Sequence, residues 1–264
     1  MRLKITHRTE YRYDAPVAYA LQRLRLMPPN GSTQKVGPWT LAITGGREQL
    51  RFGDQFGNDT RLISVEGEPQ LIAIEASGTV ETTDTAGVSG PHRGFAPLWL
   101  FQSDTQLTEA GEGVSSIAAS VVSKGDDISR LHHLMGSIRE RVAYNAGVTD
   151  AETKAEEAIE RGEGVCQDHT HIFIAAARRL GFPARYVSGY LKMADTEQAA
   201  SHAWAEAHVA QLGWVAFDVA NGISPDEAYV RVAIGRDYRD AMPVSGIRVG
   251  SGEEQLAVRI TVEQ

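Results

Sequence analysis

Cysteine, basic residues and long apolar runs are all scarce in this sequence. Its 264 residues include one cysteine, Cys166, which cannot form an intramolecular disulfide, so a disulfide-stabilised scaffold is excluded. No apolar run approaches the roughly 20 residues of a membrane-spanning helix. Residues 1–7 are polar at every second position and lack the apolar block of a signal peptide. We therefore expect a cytoplasmic protein that binds no membrane.

Basic residues are outnumbered by acidic ones. The 26 Lys and Arg residues stand against 34 Asp and Glu residues, for a formal net charge of −8. Nucleic-acid binding requires a basic surface, so we expect no nucleic-acid partner. The apolar fraction of 42% and the charged fraction of 23% are ordinary for a globular protein. A chain of this length can form one large domain or two small ones.

Periodicity divides the sequence into a β-rich first part and a mixed second part. Alternating apolar residues, interrupted by turn residues, predict strands through about residue 110. The segment 87–113 is rich in Gly and Pro and is interpreted as a connector. Beyond it, the patterns predict helices at 128–142, 151–160 and 166–180, strands at 184–191, 201–209 and 214–219, and a β tail from 229 to 264. We therefore predict a sandwich-like β domain at 1–110 and an α+β domain at 111–264 that includes the tail.

Cys166 lies at the point where a glycine-rich segment meets a predicted helix. His202 and Asp218 follow in later predicted strands. Cysteine, histidine and aspartate on separate elements are the components of a thiol-nucleophile triad. The helix N-terminus and a protonated histidine would both favour the reactive thiolate. The arrangement therefore indicates acyl-transfer chemistry.

Two features around these residues would support such chemistry. Gly162 and Gly164 leave room for the backbone to approach a substrate carbonyl, and the Cys166 N–H is a candidate oxyanion donor. A hairpin turn centred near residues 210–212 would place His202 opposite a residue between about 218 and 222. Asp218 and Asn221 both lie in that window, and an acceptor there would fix the imidazole orientation. Which face of the 201–209 strand meets the cysteine is left open by the pattern.

Structural roles compete with the functional interpretation at several positions. A lone cysteine can be a small buried hydrophobe. The segment with Asp168, His169 and His171 lacks the spacing of a metal site, so we predict neither metal nor cofactor. Glu206 is either a solvated strand residue or a partner of a site residue, and the first interpretation is preferred. Glu156 is interpreted as part of a solvated helix face. Tyr190 and Trp204 can each line a site or fill the core.

Four motifs resemble the bacterial transglutaminase-like superfamily. They are GVCQDH at 164–169, GFPARYVSGY at 181–190, HAWAE at 202–206 and GWVAFD at 213–218. The opening, with LRLMPP at 24–29 and DQFGN at 54–58, resembles the β-rich N-terminal region that accompanies the bacterial branch. The resemblance therefore covers most of the chain.

The resemblance implies a papain-like α+β core with an antiparallel sheet and a nucleophile helix. It implies that Cys166 is the nucleophile, His202 the base and Asp218 the orienting acid, in a branch regarded as candidate cysteine proteases. The expected function is cleavage of an amide or peptide bond through a Cys166 thioester. The alternatives are an amine-accepting transamidase and a non-catalytic binding module. The candidate substrate-binding or supporting residues are Gly164, Gln167, Tyr190, Trp204 and Asn221.

Two further expectations come from the same resemblance. Eukaryotic crosslinking members have a tryptophan directly after the nucleophile and use calcium-binding loops. Here Gln167 occupies that position, and the sequence has no EF-hand-type loop. We therefore do not expect calcium-activated protein crosslinking. Relatives of this branch also occur beside peptide ligases of the ATP-grasp type, which implies a small peptide or a modified amide as substrate.

Overall fold

The computed structural model describes residues 1–250 and 252–264. Its strands are β1 (Arg2–Tyr13), β2 (Tyr19–Met27), β3 (Gln34–Thr44), β4 (Gly46–Gly53), β5 (Asp59–Val65), β6 (Leu71–Thr82), β7 (Val88–Gly90), β8 (Ala143–Tyr144), β9 (Glu163–Gly164), β10 (Ala184–Leu191), β11 (Glu197–Gln198), β12 (His202–Val209), β13 (Gly213–Phe217), β14 (Tyr229–Gly235), β15 (Val244–Val249) and β16 (Glu254–Glu263). Its helices are α1 (Glu112–Val121), α2 (Asp127–Arg141), α3 (Ala155–Arg161), α4 (Cys166–Arg179) and α5 (Tyr238–Ala241), with a 3-10 helix at Leu98–Gln102. Within the described ranges, no helix is both long and apolar enough to span a bilayer.

Two antiparallel sheets form the β-rich first part. One has the strand order β11-β16-β1-β6-β3 and the other β15-β2-β5-β4. In each strand, every second side chain faces the other sheet. Leu24, Ile63 and Ile74, from β2, β5 and β6, meet in one buried cluster between the sheets. The predicted sandwich-like N-terminal region is thereby confirmed.

The C-terminal tail joins this sandwich. β16 pairs with β1 along nearly its whole length, from Lys4 opposite Glu263 to Tyr13 opposite Glu254, and β15 pairs with β2. We had grouped the tail with the α+β domain because the two are adjacent in sequence. Alternation in a strand indicates that it is half-buried but not which edge it joins. By strand pairing, the tail belongs with the N-terminal sheets.

The segment interpreted as a connector contains regular structure. β7 adds to the edge of the second-part sheet by pairing with β13, and the 3-10 helix follows it. Helix α1 then begins at Glu112 and buries Val114, Ile117 and Val121 on one face. The connector interpretation was therefore wrong for these parts of the segment.

A third antiparallel sheet, with the order β14-β10-β12-β13-β7, carries the helices of the second part. The small side chains of β12, Ala203, Ala205 and Ala207, share one core cluster with Ile172 and Phe173 of α4. Small residues allow close approach of helix and sheet, so this face of β12 is the one that meets α4. The predicted α+β core, with its antiparallel sheet and a helix that begins at Cys166, is confirmed.

Candidate active site

Cys166 is the first residue of α4 and is half-buried. The carboxylate of Asp168 accepts hydrogen bonds from the Val165 backbone N–H at 2.7 Å and from the Thr149 hydroxyl at 2.6 Å. These bonds fix the path of the chain into the helix. At this first position, the Cys166 N–H has no partner within the helix and is free to meet an oxyanion.

His202 and Asp218 come together across the β12–β13 hairpin. Ala205 lies opposite Phe217 and Val209 opposite Gly213, so the turn is centred where the sequence predicted it. Asp218 follows the last residue of β13, and its Oδ2 lies 2.6 Å from Nε2 of His202. His202 and Cys166 line the same cleft, and their interaction is one of the causes that raise the pKa of His202. Because Nε2 is engaged by Asp218, Nδ1 is the ring nitrogen left for the thiol.

Three side chains donate to one oxygen of Asp218. Besides His202, the Asn221 amide donates to Oδ2 at 2.7 Å and the Tyr229 hydroxyl donates to it at 2.7 Å. The Asn221 backbone N–H donates to Oδ1 at 3.2 Å. Asp218 is therefore the acceptor for the imidazole, and Asn221, the other residue in the predicted window, holds Asp218 in place.

The electrostatics of the site favour a charged His202–Asp218 pair. Burial opposes the imidazolium, but hydrogen bonds to Asp218 and Cys166, together with their charges, raise the pKa of His202 to about 10. Burial likewise opposes the carboxylate, yet the hydrogen bond and charge of His202 hold the pKa of Asp218 below its usual value. Hydrogen bonds from Asn221 and Tyr229 act in the same direction.

An open cleft of about 700 Å³ gives access to these residues. Cys166, His202 and Asn221 line it, together with Tyr144, Ala146, Val165, Leu191, Met193, Asp195, Glu197, Gln198, Ala199, Ala200, Ser201 and Ala220. We call this space the Cys166 cleft. Its size suits a drug-sized or short peptide ligand.

Two family models match the chain in sequence. The model of the transglutaminase-like superfamily matches residues 115–219, which include Cys166, His202 and Asp218. The model of the bacterial transglutaminase-like N-terminal region matches residues 3–81. The chain has a transglutaminase-like core and a bacterial transglutaminase-like N-terminal region.

Relatives of this transglutaminase-like chain align over almost its whole length. An uncharacterized protein of Mycobacterium leprae is 26% identical over 279 residues, covering 99% of this chain and 98% of its own. An uncharacterized protein of Mycobacterium tuberculosis is 29% identical over 291 residues, covering 99% and 92%. A crystal structure of a candidate cysteine protease from Cytophaga hutchinsonii superposes with a TM-score of 0.76 at 21% identity, covering 100% of this chain and 91% of its own. That likeness shows a shared fold.

Two of the predicted supporting residues adjoin Cys166 in this transglutaminase-like fold without lining its cleft. Gly164 is buried, and a Cβ there would lie 2.8 Å from the Cβ of Asp168. Its small size makes room for Asp168, where we had predicted room for a substrate. Gln167 donates instead to the backbone carbonyls of Asp150 and Ala151, at 3.4 and 3.3 Å.

Tyr190 and Trp204 are core residues. Tyr190 is 1% exposed, and its hydroxyl lies 3.0 Å from Nδ1 of the buried His7. Trp204 is 2% exposed and stacks against the His202 ring with 6.3 Å between centroids. Neither lines the Cys166 cleft, so Trp204 supports the histidine from behind and Tyr190 lies outside the site.

Glu206 is also buried, contrary to the solvated position that we had expected. It is 0% exposed and bonds Arg185, Arg231 and the hydroxyl of Ser89. Burial alone would raise the pKa of Glu206, but the two arginines hold it below its usual value. The alternating pattern of β12 does not reveal that Glu206 has two arginine partners on β10 and β14. Across residues 1–250 and 252–264, no group of three or more His, Cys, Asp or Glu residues could hold a metal ion.

Tyr229 is the residue of this site that sequence reasoning missed. It is the first residue of β14 and lies beyond the matched superfamily segment. The sequence places an alternating strand there, but nothing in that pattern indicates that its first hydroxyl reaches Asp218.

Proposed function

We propose that this protein is a cysteine hydrolase that cleaves an amide or peptide bond. The observation that carries the proposal is the placement of Cys166 at the start of α4, in one cleft with His202, whose Nε2 is held by Asp218. The three residues then act as nucleophile, general base and acid, and orienting acid. The open cleft gives both a peptide and water a route to the sulfur.

The proposed reaction has two steps. The Cys166 thiolate, beside a protonated His202, bonds to the substrate carbonyl carbon, and the Cys166 N–H donates to the developing oxyanion. The carbon–nitrogen bond breaks as His202 donates its proton to the leaving amine, which leaves a thioester. Water then bonds to the thioester carbon while His202 takes its proton, and the carbon–sulfur bond breaks. The carboxylic acid departs and the resting thiolate–imidazolium pair of Cys166 and His202 is restored.

The first experiment measures whether Cys166 is activated. With one cysteine in the chain, alkylation by iodoacetamide reports on that residue alone. We would follow the rate from about pH 4 to pH 10 in the wild type and in His202→Ala, around the ionisation of an ordinary thiol near pH 8.5. An already high rate at neutral pH, lost in His202→Ala, supports the proposal. An ordinary profile that His202→Ala leaves unchanged would reject it in favour of a binding module.

The second experiment identifies the acceptor. A mixed peptide pool would be incubated with the protein, with and without added putrescine, and the products identified by mass spectrometry, with Cys166→Ala as the control. New peptide termini or deamidated products that depend on Cys166 support hydrolysis. Adducts with putrescine as the main products would instead identify a transamidase, because an amine would then have replaced water at the thioester.

We also propose that the protein acts in the cytoplasm. A free cysteine nucleophile is kept reduced in the cytoplasm. Fractionation of cells that express the tagged protein would test this, since recovery in the membrane or periplasmic fraction would contradict it.

A further inference from the structure

The strand that follows the triad carries a hydroxyl aimed at Asp218. Tyr229 is 5% exposed, and its hydroxyl donates to Oδ2 of Asp218 at 2.7 Å. Its ring packs edge-on against Trp204, with 5.5 Å between centroids, and Trp204 stacks on His202. Tyr229 therefore bonds directly to Asp218 and also packs against Trp204, the residue that supports the His202 ring.

The hydroxyl of Tyr229 keeps its proton under ordinary conditions. Burial raises the pKa of Tyr229, and the charge of Asp218 raises it further. The hydroxyl is therefore a donor to a carboxylate, the stronger kind of hydrogen bond.

The N-terminal sandwich holds the segment around Tyr229 on both sides. The Gln34 side chain accepts from the Arg231 N–H at 2.8 Å and donates to the Arg231 carbonyl at 2.9 Å. The Thr82 hydroxyl donates to the Glu227 carbonyl at 2.5 Å. These bonds fix residues 227 and 231, which flank Tyr229.

A second amide repeats the Gln34 arrangement farther along β14. The Asn58 side chain accepts from the Ile234 N–H at 2.9 Å and donates to the Ile234 carbonyl at 2.8 Å. Asn58 and Gln34 thus take the place of a neighbouring strand at the open edge of the third sheet. The strand that presents Tyr229 is therefore held in register by the N-terminal sandwich.

We propose that Tyr229 is a positioning residue of the triad and that the N-terminal sandwich holds it in place through Gln34 and Thr82. The inference rests on the proposed function of Cys166, His202 and Asp218. Tyr229 touches no substrate in this role. It restrains the Asp218 carboxylate so that His202 keeps its ring directed at Cys166.

Tyr229→Phe tests the first half of the proposal. This change keeps the ring against Trp204 and removes only the donor. A carboxylate with one restraint fewer orients His202 less well, so we expect the alkylation rate of Cys166 at about pH 6 to fall about tenfold. The lower limb of the pH profile should move upward, towards that of an ordinary thiol.

Tyr190→Phe is the matched control. It also removes a buried hydroxyl that bonds a histidine, His7, but one outside the Cys166 cleft. Its alkylation profile should equal that of the wild type. Thermal unfolding of both variants shows whether each remains folded at the assay temperature.

Each outcome for Tyr229→Phe decides the first half. An upward shift supports the positioning role. An unchanged profile overturns it. A downward shift overturns it as well, because it would mean that the hydroxyl acts by weakening the negative charge of Asp218. If the wild-type profile is that of an ordinary thiol, the proposed function fails together with the inference.

Gln34→Met tests the role of the sandwich. It removes both bonds to Arg231 at nearly constant volume, and we expect a smaller upward shift, about threefold in rate at pH 6. The control is Gln22→Met, at a buried glutamine of β2 whose side-chain oxygen has no hydrogen-bond partner. A Gln34→Met profile equal to that of Gln22→Met would overturn the second half of the proposal.

Discussion

At the scale of single residues, the Asp218 carboxylate is the most heavily used group of the site. Its Oδ2 accepts from His202, Asn221 and Tyr229, all within 2.7 Å. A carboxylate oxygen suits three donors because hydrogen bonds to a charged acceptor are stronger than those to a neutral one. A carboxylate at this position also stabilises the imidazolium of His202, which a neutral acceptor cannot do.

Asp218→Asn should lower the activity far more than the stability. The amide can keep the shape of the side chain but cannot stabilise the imidazolium, so we expect the turnover of an identified substrate to fall by about 10²- to 10⁴-fold. The alkylation rate of Cys166 near neutral pH should fall as well. Asp126→Asn, an exposed helix cap that bonds the Ser129 N–H, is the control and should behave as the wild type. Equal alkylation profiles for the two variants would show that Asp218 does not orient His202.

At the scale of elements, β10 and β14 approach each other unusually closely at Gly189. The pairing of the two strands is irregular between Ser188 and Gly189. A Cβ at Gly189 would lie 2.1 Å from the Val230 carbonyl oxygen and 2.6 Å from Cη2 of Trp204. The absent side chain thus allows Trp204 to stack on His202 and β14 to stay paired.

Gly189→Ala should destabilise the protein and disturb the site together. Overpacking against Val230 and Trp204 should lower the free energy of unfolding by about 1–3 kcal/mol, measured by urea denaturation. Gly136→Ala, in the middle of α2 with no atom within 4 Å of the added Cβ, should raise it by about 0.5–1 kcal/mol. A Gly189→Ala variant as stable as Gly136→Ala would contradict the close approach of β10 and β14 at Gly189.

Local patterns predicted most elements, and the exception at α1 has a tertiary cause. The helix α4 was predicted from apolar spacings of three and four, and the β12–β13 hairpin from alternation. The N-terminus of α1 is instead capped from another helix, because the Glu156 carboxylate accepts from the N–H groups of Gly111, Gly113 and Val114. Glu156, interpreted as solvated, supplies a cap that no local pattern around α1 contains.

At the scale of the whole molecule, the N-terminal sandwich and the third sheet share one buried interface. Leu3, Ile5 and Val80 from the sandwich meet Tyr190 and Val230 from the third sheet in a single cluster. His7 lies beside this cluster, with both ring nitrogens bonded, to Tyr190 and to Thr9. Burial lowers the pKa of His7 to about 4, so the interface contains a neutral imidazole.

His7 should make the molecule sensitive to mild acid. The unfolded chain binds a proton at His7 near pH 6.5, whereas the folded chain binds it only near pH 4. Stability contributed by this residue is therefore complete above pH 6.5 and is lost as the pH falls towards 4. The free energy of unfolding should drop between pH 7.5 and 4.5 by roughly 2–3 kcal/mol more in the wild type than in His7→Gln. An equal drop in both proteins would rule out a neutral His7.

The residues of the site were predictable to the extent that they lie in local motifs. The triad lies at a helix start (Cys166), at a strand start (His202) and just after a strand (Asp218). The register of the β12–β13 hairpin also predicted Asn221 as a residue near His202. Tyr229 and Glu206 act through partners on other strands, which the order of strands in a sheet decides. That order depends on long-range pairing, as the tail strand β16 on β1 also demonstrates.

The side-chain amides of Gln34 and Asn58 have a consequence for how the protein can be divided. A fragment that begins at residue 111 would carry β14 with its outer N–H and C=O groups bare. An uncovered strand edge recruits strands from other chains, which leads to aggregation. By covering this edge, the sandwich should also prevent self-association of the protein. The core is therefore best expressed together with the sandwich.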